Sequence, residues 1–379
     1  MNIEATLRSV AAAIDAAEMM GGCEVKSVWT GIGGSHIDGI NSRGVVAVNG
    51  KDREIGNSHI ERVLEAARAV VIPMDRQILE LIPQSYIVDD QKGIRDPRDM
   101  IGVRLEAEVH IITCSVTSAQ NLIKCVNRAG FLVNDLVLQS LAAGRSVLTE
   151  EEKELGVALV DLGGGTTEML VYNNGTPYST TTIPAGGEQV TRDISIIKGI
   201  SFENAEKIKI EAGCCWEPML GSSINGFPPE GDDDVIIPGV GGRTPLSIPK
   251  SQILTIIQPR MEEIFKMVKE QLDKLNLSRP LGAGIVLTGG GAQLLGAAEL
   301  ASQVFRMPVR VGLPLPLGGL VEEYRSPVYA TAVGLVLEGN DREGKLGPDQ
   351  SGNGGTPQRD KGQTAIFSKL SEWLRKEFF

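Results

Sequence analysis

The chain has 379 residues, of which 42% are hydrophobic and 22% are charged, a balance typical of a globular protein with two or more domains. The net charge is −11 without a basic block, which argues against nucleic-acid binding, and the five cysteines form no C-x-x-C pair that would indicate a zinc site. Neither a signal peptide nor an apolar run of about eighteen residues occurs, so we expect a reduced, cytoplasmic protein.

In chain order, the hydrophobic pattern alternates helices and strands, as in α/β architecture. The predicted helices cover residues 3–20, a segment that begins at Ser58, and residues 117–129, 135–148, 201–213 and 251–275. The predicted strands cover residues 26–32, 44–48, 82–90, 104–114, both halves of 156–172, 234–240 and the apolar run before Thr288. Ser58 and Glu61 have the spacing of a capping box at the start of the second helix.

The stretch GVALVDLGGGTTEMLVY, residues 156–172, places three glycines between two apolar runs. This pattern predicts a hairpin whose turn amides face an anion such as phosphate. Asp161 before the glycines suits a Mg²⁺ ion bound through water, and Thr166 and Thr167 supply hydroxyl groups. The alternative is a hairpin whose glycines serve backbone geometry alone.

Two further glycine turns follow apolar strands. Thr288 precedes Gly289–Gly291 and a predicted helix, so backbone donors at a helix start could face an anion or a polar ring edge. Gly186 and Gly187 open another predicted helix. A close strand–helix crossing is the alternative, and the usual G-x-x-x-x-G-K-[ST] nucleotide motif does not occur.

The C-terminal region has a different composition. Residues 339–364 contain seven glycines and one large apolar residue, Leu346, which predicts a flexible linker. Residues 365–379 then predict an amphipathic helix that lies in a membrane interface, the alternative being a helix docked on the protein's own core. Its apolar face consists of Ile366, Phe367, Leu370, Trp373, Leu374 and Phe378.

The motifs DLGGGTTE (161–168) and LTGGGAQLLG (287–296) resemble the phosphate and adenosine motifs of the actin, Hsp70 and sugar-kinase superfamily. Further segments resemble the bacterial FtsA family of cell-division proteins, over residues 1–338 and again over the last fifteen residues. The segments that carry this resemblance are residues 27–46, 82–94, 102–114, 241–248, 282–290 and 329–335.

The resemblance implies an α/β, actin-like fold of two domains with an FtsA-type inserted subdomain. The implied divisions are 1–34 and 111–150 for the first actin-like subdomain, 35–110 for the inserted subdomain, 151–338 for the second half, 339–364 for a disordered linker and 365–379 for a membrane-targeting helix.

The resemblance also implies ATP and Mg²⁺ as cofactors. Asp161 matches the acidic residue of the second phosphate loop, and the β- and γ-phosphates would be held by Gly163, Gly164, Gly165, Thr166 and Thr167. Gly289, Gly290 and Gly291 would back the α-phosphate and adenosine, with Gly186 and Gly187 nearby. Glu206 and Lys209 match positions that approach ribose and adenine; the alternative is a solvated helix surface.

The superfamily has two phosphate hairpins, one in each half. This sequence begins at the helix that should follow the first hairpin, so we expect impaired ATP binding. Gln139 is the polar candidate for positioning a water molecule, although packing or capping would explain it equally well. We therefore expect a nucleotide-binding scaffold with at most weak ATPase activity rather than an enzyme.

The implied function is to tether the FtsZ ring to the cytoplasmic face of the inner membrane at the septum, with self-association into polymers and contacts to other divisome proteins. The FtsZ C-terminal peptide would bind around residues 240–270, where Arg243, Lys250 and Arg260 could meet an acidic peptide or could be ordinary surface charges. The alternatives are a small-molecule kinase, for which no catalytic Asp is evident, and a pilus-assembly ATPase of related fold.

Overall fold

A computed structural model describes residues 3–50, 52–217, 234–237, 246–275, 277, 279–318 and 322–344. The helices are α1 (Ile3–Gly21), α2 (Asn57–Arg68), α3 (Val116–Arg128), α4 (Gln139–Val147), α5 (Glu150–Leu155), α6 (Gly187–Lys198), α7 (Phe202–Ala212), α8 (Lys250–Asp273), α9 (Ala297–Phe305) and α10 (Ala330–Gly344). The strands are β1 (Ser27–Ile32), β2 (Asp38–Ala47), β3 (Arg76–Val88), β4 (Gln91–Ile94), β5 (Arg104–Ser115), β6 (Leu132–Leu138), β7 (Val157–Leu162), β8 (Thr167–Asn173), β9 (Thr176–Ile183), β10 (Asp234–Ile237), β11 (Leu246–Pro249), β12 (Ile285–Thr288) and β13 (Val309–Val311). Among these residues, no helix combines the length and the apolar character that crossing a membrane requires.

The second half of the chain is organised by a five-stranded sheet in the order β13-β12-β7-β8-β9. Strands β13, β12 and β7 run parallel, whereas β7, β8 and β9 form an antiparallel meander. Helices α6 to α9 cover one face, and α4 with the start of α10 covers the other. Because both faces of the sheet are buried, residues 157–160 of β7 and 285–287 of β12 are continuous apolar runs. The parallel register of the two strands places Asp161 beside Thr288.

The first half contains a parallel pair, β1 and β6, with α3 leading into β6. The predicted helix over 135–148 is wrong in its first part, because residues 132–138 form β6 and α4 begins only at Gln139. Leu138 pairs with Ile32 of β1, and both side chains are fully buried. A short buried apolar run cannot be assigned to strand or helix from its periodicity, so tertiary pairing decides here.

The inserted subdomain is an antiparallel sheet in the order β2-β5-β3-β4, with α2 packed on β2 and β5. Strand β5 is long enough to reach two cores, since Leu105 lies in the core of the subdomain and Ile112 in that of the first half. The capping box predicted from Ser58 and Glu61 is wrong. Helix α2 begins one residue earlier, with Gly56 as its N-cap, and the Nδ1 atom of His59 accepts a 3.2 Å hydrogen bond from the Gly56 amide.

Helix α10 belongs to the second half by sequence but packs on the first. A Cβ atom at Gly334 would overlap the carbonyl oxygen of Ala142 in α4, so the two helices cross at backbone contact. At the end of α10, Arg342 pairs with Asp135 and lies 5.5 Å from the ring centre of Trp29.

These contacts extend the helix beyond the predicted start of the linker. Residues 339–344 are helical rather than flexible, because Asp341 and Arg342 form ion pairs with the first half. The remainder of the predicted linker and the predicted amphipathic helix, residues 345–379, lie outside the described residues.

Candidate functional site

The turn between β7 and β8 presents open backbone amides. It is closed by a 3.0 Å hydrogen bond from the amide of Gly163 to the carbonyl of Thr166. Gly164 and Gly165 are exposed, and their amides have no hydrogen-bond acceptor in the part of the chain that the structure describes. A Cβ atom at either position would meet nothing within 4 Å, so the backbone here is open to an incoming anion.

The N-terminus of helix α6 bonds to this turn. The amides of Gly187 and Glu188 donate to the carbonyls of Gly163 and Gly164 at 2.9 and 2.7 Å. Gly186 is required for the close approach, because a Cβ atom there would lie 2.7 Å from the carbonyl oxygen of Gly164. Gly186 and Gly187, which we predicted as cofactor-binding residues, therefore position the turn, and their contact with a ligand stays a prediction.

The two threonines of the turn differ in exposure. Thr167 is fully buried, and its hydroxyl donates to the carbonyl of Ala185 at 2.8 Å. A contact between that hydroxyl and phosphate would require this hydrogen bond to break. Thr166 is half-buried at the rim of the turn, so the open donors are those of Gly164, Gly165 and Thr166.

The second glycine turn, after β12, packs directly against the first. Gly289 has a φ of +81°, and a Cβ atom there would lie 2.7 Å from the carbonyl oxygen of Leu162. The predicted helix does not follow at once: Gly290–Gln293 form a short 3₁₀ turn, and α9 begins at Ala297. Gly290 is exposed, and a Cβ atom there would meet nothing within 4 Å. We refer to Gly163–Thr166, Gly186–Gly187 and Gly289–Gly291 together as the turn cluster.

Glu206 and Lys209 of α7 connect that helix to the turn cluster. The Nζ atom of Lys209 donates to the carbonyl of Gly187, to the hydroxyl of Thr191 and to Oε2 of Glu206, at 3.1, 2.9 and 2.8 Å. Burial alone would raise the pKa of Glu206, but the hydrogen bonds from Lys209 and Thr191 outweigh it and lower that pKa. The pair is thus fixed beside the start of α6 rather than being a freely solvated helix surface.

Asp161 lies at the end of β7, next to the turn cluster. Its Oδ2 atom accepts a 3.3 Å hydrogen bond from the hydroxyl of Thr331, at the start of α10. Burial raises the pKa of Asp161, and the hydrogen bond from Thr331 opposes that shift. A cation beside this carboxylate would favour its charged form.

Glu168 is a further residue of this site and is absent from the predicted set. It is buried in β8, and its Oε1 atom accepts a 3.1 Å hydrogen bond from the amide of Gly34, in the loop after β1. Its Oε2 atom is buried and makes no hydrogen bond of ordinary geometry to the described residues, although the backbone amide of Ser140 lies close enough to oppose the rise in the pKa of this carboxyl. Burial raises the pKa of Glu168 to about 7, and the charge of Asp161 adds to the shift. The signal in the sequence was a carboxylate inside the apolar run of residues 167–173.

The side chains of Gln139 and Glu168 lie close together beside Gly33, in the loop after β1. A Cβ atom at Gly33 would overlap Oε1 of Gln139 and Oε1 of Glu168 at once, so both side chains converge on that point. The structure therefore places Gln139, Glu168 and Asp161 near one another, where the two halves of the chain meet. This position fits a role in orienting a bound water molecule, which stays a prediction.

The oxygen-rich surroundings fit a magnesium ion. Within the described ranges, no group of three or more His, Cys, Asp or Glu side chains could hold a metal ion alone. Mg²⁺ usually keeps several water ligands and binds through one or two carboxylates together with substrate phosphates. Asp161, next to the open turn, would supply an oxygen ligand of that kind.

The predicted FtsZ-binding residues are distributed differently. Arg243 lies outside the described residues, and Lys250 is the first residue of α8. The guanidinium of Arg260 donates to both carboxylate oxygens of Asp193 in α6, at 2.6 and 3.2 Å, and also pairs with Glu263. Arg260 therefore ties α8 to α6 and is not a free cation.

The sheet order, the turn cluster and the crossing of α10 onto the first half define an actin-like α/β protein. Comparison of folds agrees: a solved structure described as a PilM–PilN type IV pilus biogenesis complex matches with a TM-score of 0.59 over 87% of this chain and 84% of that chain. The sequence identity is 16%, so this likeness concerns the fold alone. The predicted fold class, with its inserted subdomain, is confirmed.

The family follows from sequence. The family model "Cell division protein FtsA" matches residues 158–334, and "SHS2 domain inserted in FTSA" matches residues 34–113. Curated proteins named "Cell division protein FtsA" from Pseudomonas aeruginosa and Borreliella burgdorferi are 41% and 44% identical over the whole chain, which covers 88% and 89% of their lengths. The chain belongs to the FtsA family of cell-division proteins, as the resemblance indicated, and the kinase and pilus-assembly alternatives are not favoured.

Proposed function

We propose that this protein tethers FtsZ polymers to the cytoplasmic face of the inner membrane at the division site and polymerises through its actin-like body. Family membership supports a role in cell division. The tether requires three separable elements, namely a body that self-associates, a surface for the FtsZ C-terminal peptide and a membrane-binding tail. Other divisome proteins would contact the same body.

The observation that carries the nucleotide part of the proposal is the pair of open amides at Gly164 and Gly165. We propose that they and Thr166 hold the β- and γ-phosphates of ATP, with Gly290 near the α-phosphate and the pair Glu206–Lys209 near the nucleoside. Asp161 would hold Mg²⁺ through water, and the ion would neutralise phosphate charge. We infer a scaffold that binds nucleotide and turns it over slowly at most.

The proposed FtsZ surface lies around the start of α8. Lys250 and Arg260 are on this helix, and Arg243 precedes it in sequence. An acidic peptide would find complementary charge there, with a strength that falls as salt screens it. Since Asp193 already pairs with Arg260, the peptide would have to compete for that guanidinium or share it.

The proposed membrane anchor is the amphipathic segment 365–379, which lies outside the described residues and rests on sequence alone. Fully burying one large apolar side chain is worth roughly 1.5–3 kcal/mol. Six partly buried side chains must offset the cost of ordering the backbone, which is about 1–2 kcal/mol per residue before helix hydrogen bonds. One tail should therefore bind weakly, and polymerisation would make anchoring durable through effective concentration.

Vesicle sedimentation with purified FtsZ tests the tether. Wild-type chain should pellet with vesicles and bring FtsZ with it, whereas Trp373→Glu should release both proteins because it places a charge in the apolar face. Ser368→Glu is the matched control, since helical spacing places the same charge on the opposite face. If Trp373→Glu pelleted as well as wild type, the segment would not be the anchor and the docked-helix alternative would stand.

A further inference from the structure

A polar cleft of about 440 Å³ lies at the seam between the inserted subdomain and the second half. It shares no lining residue with the turn cluster. Apart from Gly93, every residue that lines it carries a hydrogen-bonding side chain. The residues that matter most are Gln84, Arg95 and Glu108 from the inserted subdomain, Asn173 and Tyr178 from strands β8 and β9, and Arg279 before β12.

Two guanidinium groups line this cleft. Arg95 donates to the carboxylate of Glu154 at 2.5 and 2.7 Å, so its charge is already paired in an exposed ion pair. Arg279 has no acidic partner within ion-pair distance among the described residues. The lining carboxylate of Glu108 already accepts a 3.0 Å hydrogen bond from the hydroxyl of Ser85.

Asn173 presents a carboxamide to the same cleft. Its side chain lines the cleft, only 9% of the residue is exposed, and its carboxamide has no hydrogen-bond partner in the described part of the chain. This carboxamide is not among the buried side-chain groups that lack a hydrogen-bond partner in the described residues, so it is open to the cleft and can bond to water or to a ligand. A ligand group with acceptor oxygens would satisfy this carboxamide together with the guanidinium of Arg279.

We propose that the cleft binds the carboxylate of a small, hydrophilic ligand. The donors are planar guanidinium and carboxamide groups, which match the geometry of a carboxylate. Phosphate sites more often use backbone amides at a helix start or in a nest. Glu108 suits a hydroxyl or ammonium group on the same ligand. Because the cleft is shared by two parts of the chain, its ligand would fix the inserted subdomain against β8 and β9.

The carboxylate has two chemical sources, a free hydroxy or amino acid and the acidic side chain of a peptide. Calorimetry on the full chain would use citrate, L-glutamate and the peptide Gly-Glu-Glu-Gly as probes, with inorganic phosphate for comparison. We expect saturable binding of at least one carboxylate probe, tighter than that of phosphate. Tighter binding of the free acids or of the peptide identifies the source, and either outcome supports the site.

Arg279→Gln should weaken this binding about tenfold, because it removes a charge-assisted hydrogen bond. Asn173→Asp should weaken it as well, since it places a negative charge beside the ligand. Arg62→Gln is the matched control, because Arg62 is exposed on α2 and does not line the cleft. The proposal is overturned if no carboxylate probe binds saturably below about 10 mM, or if Arg62→Gln weakens binding as much as Arg279→Gln does.

Discussion

The Oε1 atom of Glu168 accepts a 3.1 Å hydrogen bond from the backbone amide of Gly34. Glu168 belongs to β8 of the second half, and Gly34 follows β1 of the first half, so the bond joins the two halves beside the turn cluster. Burial raises the pKa of this carboxyl to about 7. Its protonation state therefore changes within the physiological range, at the point where the halves meet.

The first prediction concerns Glu168→Gln and pH. The pKa of Glu168 in the folded state, about 7, lies above its ordinary value of 4.5, so the folded protein binds this proton more tightly than the unfolded chain does. The stabilisation is complete below pH 4.5 and is lost as the pH rises through 7. Relative to Glu168→Gln, the wild type should lose about 2–4 kcal/mol of unfolding free energy over that window.

Urea unfolding at pH 5 and pH 8 measures this difference. Glu203→Gln, on the exposed side of α7, controls for the loss of one carboxylate elsewhere. If the unfolding free energy of wild type and of Glu168→Gln changed equally with pH, the carboxyl of Glu168 would not titrate between pH 5 and pH 8, and the prediction would be wrong.

The second prediction concerns the crossing of α10 and α4. Gly334→Ala should destabilise the protein by about 1–3 kcal/mol, because the added methyl group would overlap the backbone of Ala142. Thermal unfolding followed by circular dichroism measures the loss. Gly318→Ala is the matched control, since its methyl group meets nothing within 4 Å. Equal melting temperatures for the two variants would contradict the close crossing.

The third prediction separates binding from packing at Arg260. Arg260→Glu and Asp193→Asn both break the ion pair between α8 and α6. If Arg260 influenced the FtsZ C-terminal peptide only through this packing contact, the two variants would change the affinity for the peptide in the same direction. If Arg260 contacts the peptide, Arg260→Glu should weaken binding. Asp193→Asn should strengthen it, because it removes one of the two carboxylates that compete for the guanidinium and leaves only the pair with Glu263. Fluorescence titration at low and high salt measures both changes, which should shrink at high salt. Weakening by both variants would assign Arg260 a packing role only.

Local sequence features identified much of the fold. The glycine turns and the apolar runs around them placed β7, β8 and β12 correctly, because buried strands need continuous apolar residues and turns need glycine. Strand β6 was missed because its identity depends on pairing with β1, a contact between Leu138 and Ile32 that no local pattern reveals. The end of α10 depends in the same way on Arg342, which pairs with Asp135 far away in the chain.

The sequence predicts where the glycine turns of the candidate site lie. It does not predict which groups their amides bond to. Whether Gly187 binds phosphate or holds the neighbouring turn depends on where its amide points, and the structure directs it to the carbonyl of Gly163. Glu168 was visible in the sequence as a carboxylate in an apolar strand. Its hydrogen-bond partner Gly34 lies 134 positions away in the sequence. No local pattern reveals that Glu168 joins the two halves of the chain, so this contact is known only from the fold.

The measurement that tests the nucleotide site most directly is the affinity of wild type and Gly165→Ala for ATP in the presence of Mg²⁺, determined by calorimetry. A methyl group at Gly165 meets no protein atom within 4 Å, so folding should be unchanged, as it should be in the control Gly318→Ala. The same methyl group would project into the space assigned to the phosphates. We predict that Gly165→Ala binds ATP about tenfold or more weakly than wild type, whereas Gly318→Ala binds it equally well. Equal affinity in wild type and Gly165→Ala would contradict the assignment of this turn as the phosphate site.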